Sequence, residues 1–76
     1  MRWYKFSIEA FSGGYTDIMF EGYIQAESEI ELEKNVYNEL IESIGKESAD
    51  VYFKFISYTE LSNSPKIIYT KKFFYR

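Results

Sequence analysis

The sequence predicts an α+β fold of ββαββ order, a four-stranded, largely antiparallel sheet with one helix packed on one face, in a single domain over residues 1–76. Two observations carry this: apolar residues recur every second position in four segments, and one segment between them carries an apolar stripe at helical spacing. A third is size. A chain of 76 residues buries only about 60% of the surface its unfolded form exposes, so its small core must be dense. Eight Tyr, seven Phe and one Trp supply that density.

From Trp3 to Phe11 the even positions Tyr4, Phe6, Ile8 and Ala10 are apolar and alternate with Lys5, Ser7 and Glu9, the pattern of a half-buried strand. Ile18, Phe20 and Ile24 repeat it between Tyr15 and Gln25. A two-residue Gly13-Gly14 turn would oppose Phe6 with Glu21 and Ile8 with Met19, putting the apolar rows out of step. A three-residue loop, Ser12 to Gly14, instead pairs Ile8 with Ile18 and Phe6 with Phe20, and is the predicted connection. On the other face it sets Lys5 against Glu21 and Trp3 against Tyr23, with one poor pair, Glu9 and Asp17.

Ser28-Glu29-Ile30-Glu31 reads as a capping box that opens a helix. Leu32, Val36, Tyr37, Leu40, Ile41 and Ile44 follow at helical spacing, and Gly45 suits the left-handed residue that ends it. Alternation resumes from Val51 to Glu60 and from Ile67 to Tyr75. These two segments predict a second hairpin with a loop from Ser62 to Lys66, pairing Phe53 with Tyr75 and Phe55 with Phe73. The order in which the two hairpins join is left open.

One helix covers one face of such a sheet, so the other meets water or another molecule. By these registers it presents Trp3, Met19, Tyr23, Tyr52, Ile56, Tyr58, Ile68 and Phe74, interleaved with Lys5, Glu9, Asp17, Glu21, Lys54, Glu60, Lys72 and Arg76. Exposed apolar patches of that extent mark interaction sites, and Trp and Tyr concentrate binding energy. Trp3, Lys5, Met19, Tyr23, Tyr52, Lys54 and Tyr58 are the expected partner-binding residues. The partner expected is a protein, a second copy of the chain included.

Charge and composition set the competing readings. Residues 27–50 carry two basic and eight acidic groups, whereas residues 51–76 carry five basic and one acidic. A stripe along the helix with Glu31, Glu39 and Glu42 forms a second candidate surface, able to imitate phosphates toward a basic partner. Aromatics interleaved with lysines also suit stacking of single-stranded nucleic acid, the runner-up function, although four acidic groups on the same face deny it an electrostatic funnel.

Catalysis has little to work with. Without His or Cys there is no Ser-His-Asp or Cys-His nucleophile, no zinc site of the usual ligands and no disulfide. The expectation is a non-enzymatic chain without cofactor or metal. No stretch approaches the ~18 apolar residues of a membrane span, and no leader pattern opens the chain. That predicts a cytoplasmic protein with no membrane partner. No stretch carries a family motif. At the level of type, a short, mildly acidic α+β chain without Cys or His resembles the small inhibitors that phages make against host defence complexes, anti-CRISPR proteins among them. Such a resemblance implies action by occupying a surface.

Overall fold

The structure, a computed structural model, describes residues 1–65 and 71–75. The chain runs β1 (Arg2–Ser12), β2 (Tyr15–Ala26), α1 (Glu29–Ile44), α2 (Lys46–Tyr52), a single 3-10 turn (Phe53–Phe55), β3 (Ile56–Leu61) and β4 (Lys71–Tyr75). The four strands form one antiparallel sheet in the order β3-β1-β2-β4. The α+β class and the four-stranded antiparallel sheet are those expected from the alternation. The strand order places the β1–β2 hairpin at the centre.

The core lies where the alternation puts it. Tyr4, Phe6, Ile8, Ala10, Ile18 and Phe20 are buried on one face, and Leu32, Val36 and Leu40 of α1 close over them. Those three helix residues are four apart, so they stack along one side of the helix. Ser28 caps α1: its hydroxyl accepts from the Glu31 amide at 3.2 Å. At the far end Gly45 has φ +86°, a conformation that costs a side chain-bearing residue energy. The rings interlock edge to face, Phe6 with Phe20 at 5.1 Å between centroids and Phe20 with Phe73 at 5.4 Å.

The first hairpin differs from the expected one in its turn and register. Ser12 opposes Tyr15, so the turn is the two-residue Gly13-Gly14, with φ of +56° and +82°. Such a turn alone would set the apolar rows out of step. Between Ala10–Ile18 and Phe11–Thr16 the register shifts, leaving Asp17 as an extra residue on β2. This bulge restores the shared face. Ile8 then opposes Phe20 rather than Ile18, and Phe6 opposes Gly22. The predicted pairs are corrected by two places: Lys5 opposes Tyr23, Trp3 opposes Gln25 and Glu9 opposes Met19. The unfavourable Glu9–Asp17 pair does not form.

The second half departs further. No hairpin joins β3 to β4, because they occupy opposite edges of the sheet. Phe73 stands against Phe20 and Tyr75 against Ile18, in place of the expected Phe55 and Phe53. Residues 46–52, whose last part reads as strand, form α2 instead. Gly45 redirects the chain, Ala49 buries completely, and the Tyr52 and Phe53 rings pack against Tyr75 and Tyr37. Period-two spacing over Val51–Phe55 is thus overridden by packing of adjacent aromatics. The predicted positions Lys66, Ile67, Ile68 and Arg76 lie outside the described residues.

Candidate interaction face

The alternation that points Tyr4, Phe6 and Ile8 at the helices points Trp3, Lys5, Ser7 and Glu9 the other way. On β2 the same side carries Met19, Glu21, Tyr23 and Gln25, and on β3 it carries Ser57, Thr59 and Leu61. Neither helix lies on this face, since both join the core on the opposite one.

The registers arrange the open face in rows. Leu61, Trp3 and Gln25 form the first; Thr59, Lys5 and Tyr23 the second; Ser57, Ser7, Glu21 and Lys72 the third. In the fourth, Glu9, Met19 and Phe74 stand side by side. Trp3 and Tyr23 are diagonal neighbours, a spacing of about 7–8 Å that large rings bridge. The face therefore has two apolar ends separated by a polar row.

Each end borders a depression. Beside Trp3 a groove of about 400 Å³ is lined by Met1, Arg2, Glu60, Leu61 and Ser62–Ser64. At the other end Thr16, Met19 and Phe74 line a hollow of about 270 Å³. Phe74 remains 47% exposed there.

Of the seven residues expected to bind a partner, Trp3, Lys5, Met19 and Tyr23 come together on the open face. Tyr52, Lys54 and Tyr58 do not. Tyr52 sits on α2 against Tyr75, and Lys54 lies in the 3-10 turn with its Nζ 5.4 Å from the centre of the Phe55 ring. Tyr58 opposes Phe6 and meets Tyr4 edge to face at 6.3 Å, on the covered side. Ile56 and Glu60 share that side, which also corrects their expected placement. The error is one of parity. The Val51–Phe55 run suggested that odd positions face the core, but the strand begins only at Ile56, where Ile56 and Tyr58 are the apolar pair.

Leu61 is the contributor that alternation over the longer segment hid, whereas Gln25 already shares the parity of Met19 and Tyr23. Within Ile56–Leu61 alone, Ser57 and Thr59 already mark the wet face, and Leu61 follows from them.

On the covered side, Arg2 reaches Glu60 at 3.8 Å and lies near the Tyr4 hydroxyl. Both neighbours raise the guanidinium pKa, Tyr4 more strongly. The Tyr4 hydroxyl itself is buried without a hydrogen-bond partner among the described residues. Glu33 falls within the apolar arc of α1 and is half-buried. Burial first, then the charges of Glu33 and Glu29, hold the Tyr58 hydroxyl above its ordinary pKa. On α1, Glu42 is exposed while Glu31 and Glu39 are half-buried.

Among the described residues no group of His, Cys, Asp or Glu converges to hold a metal ion, and no helix is long and apolar enough to cross a membrane. Comparison with protein-family models, with curated proteins and with solved structures finds no match to this chain.

Proposed function

We propose that this chain is a non-enzymatic, cytoplasmic protein-interaction module that docks a protein partner on the open face of its sheet. The mode of action is occupation of a surface, as in the phage-encoded inhibitors of host complexes that the chain resembles in type. One observation carries the reading: Trp3, Lys5, Tyr23 and Leu61 lie together on a face that neither helix covers. A Trp that lines a groove and a Tyr diagonal to it, with Lys5 and Gln25 as their neighbours on the sheet, have the make-up of an interface centre with a polar border.

The nucleic-acid reading is weakened by the same geometry. Tyr52 and Tyr58, two of its stacking rings, lie elsewhere, and Glu9 and Glu21 stand among the rest. The test is capture of a partner from the native host by the immobilised chain. Trp3→Ala with Tyr23→Ala should abolish capture without altering the far-ultraviolet dichroism, whereas charge reversal at Glu31, Glu39 and Glu42 should leave it intact. The opposite pattern would move the docking site to α1.

A further inference from the structure

The two edges of the sheet are built differently. β4 carries Lys72 at one edge, the kind of charge that keeps an edge strand from pairing with another chain. β3, at the other edge, reads Ile-Ser-Tyr-Thr-Glu-Leu, with Glu60 as its one charge, no Lys and no Pro. Among the described residues it pairs with β1 on one side only. Ser57, Thr59 and Glu60 are exposed, and the helices approach the sheet over the central strands, α1 over β2 and α2 over β1. An edge of six residues without such protection offers a row of backbone donors and acceptors.

We infer that this edge pairs antiparallel with the β3 edge of a second copy of the chain, about a two-fold axis at Thr59. The choice of occupant rests on charge and register. In a continuous antiparallel sheet, residues directly opposite share a face, so only registers that oppose even with even positions keep both cores on their own side. An axis at Thr59 sets Thr59 against Thr59 of the second copy, a favourable cross-strand pair. It also sets Tyr58 against Glu60, so an aromatic ring rather than a second carboxylate lies beside each glutamate. An axis at Tyr58 would put Ile56 against that carboxylate instead. With one charge per strand, neither glutamate faces its own copy. β4 paired with itself would bring the Lys72 of both copies to one seam.

The axis stands perpendicular to the sheet, so both open faces point the same way and both helical layers the other. Two rows headed by Trp3 then lie on one continuous surface. This inference is separable from the docking role of that face, because the edge uses the β3 backbone, whereas of the docking side chains Trp3 and Lys5 stand on β1, Tyr23 on β2 and Leu61 alone on β3.

The chain has no cysteine, which permits a direct test in the full protein. Opposed residues of an antiparallel pair have Cβ atoms about 4.5–5.5 Å apart, close to the ~3.5–4.5 Å that a disulfide spans. Under mild oxidation Thr59→Cys should give a disulfide-linked dimer, while Lys5→Cys, one strand further in on the same face, should stay monomeric. By sedimentation, Thr59→Lys and Thr59→Glu should each weaken dimerisation about fivefold through like charge at the axis, and mixing them should restore it. Trp3→Ala should leave dimerisation unchanged. Wild-type chain that sediments as a monomer at millimolar concentration, or equal cross-linking of the two cysteine variants, would overturn the inference. Should a residue 59 variant lose its dichroism, Ser57→Cys mixed with Leu61→Cys, which the same register places opposite one another, gives the same reading.

Discussion

The Tyr37 hydroxyl donates to the Asp50 carboxylate, tying α1 to α2 across the Gly45 break. Lys46 completes the contact, its Nζ lying 3.0 Å from the other Asp50 oxygen and 3.4 Å from the Tyr37 hydroxyl. These groups add exposed polar contacts to the packing of Ala49, Tyr52 and Phe53, which holds a seven-residue helix that would not persist in isolation. The hydrogen bond from Tyr37, then that from Lys46, lowers the Asp50 pKa, and Asp50 foremost raises that of Lys46.

The pH dependence of α2 follows in sign. A lowered carboxyl pKa contributes stability above its unfolded value, and that stability is lost as the pH falls through the lower folded value. A raised ammonium pKa contributes below its unfolded value and is lost as the pH rises through the higher folded one. Amide exchange in α2, measured against that in α1, should therefore accelerate on acidification below the ordinary carboxylate range and again in strong alkali. Asp50→Asn should speed it several-fold at neutral pH and flatten the acid limb. An α2 that exchanges identically in wild type and Asp50→Asn would show that Tyr37 and Lys46 hold nothing there.

Leu40 has no exposed surface and packs in the core beneath α1. Leu40→Ala should cost about 2–5 kcal/mol, a large part of the roughly 4–11 kcal/mol available to a chain of this length. Urea titration followed by dichroism reads this directly. Trp3→Ala, on the open face, should cost far less, and a similar loss at both sites would mean that Trp3 belongs to the core.

Gly13 and Gly14 both have positive φ, as the mirror-image hairpin turn requires. Gly14→Val should lose about 1–2 kcal/mol in the same titration from left-handed strain. Gly13→Asn, which suits the first turn position, should be neutral within error. Equal losses, or none at Gly14→Val, would contradict the left-handed conformation of Gly14.

How far the sequence revealed this protein depends on the range of the interaction involved. The Ser28 cap, the Leu32–Val36–Leu40 stripe and the Gly45 stop depend on residues within a few positions of one another, and they were legible. So was the inward parity of Tyr4, Phe6 and Ile8. The register of the first hairpin was not, because alternation defines a face but leaves shifts of two unresolved, and a single extra residue at Asp17 reconciles the Gly-Gly turn with the core. The second hairpin was illegible for a stronger reason: β3 and β4 find partners on opposite sides of the first hairpin, a long-range choice that local spacing does not encode. Three of the seven candidate residues were lost for a local reason instead: Tyr52, Lys54 and Tyr58 were assigned by the parity of the Val51–Phe55 run, which is helix and 3-10 turn rather than strand, while Trp3, Lys5, Met19 and Tyr23 rested on the first hairpin.

The docking role of the open face is tested most directly by partner capture with the wild-type chain and with Trp3→Ala combined with Tyr23→Ala, at matched dichroism. The account predicts a partner held by the first and released by the second. A partner held equally by both folded proteins would contradict it.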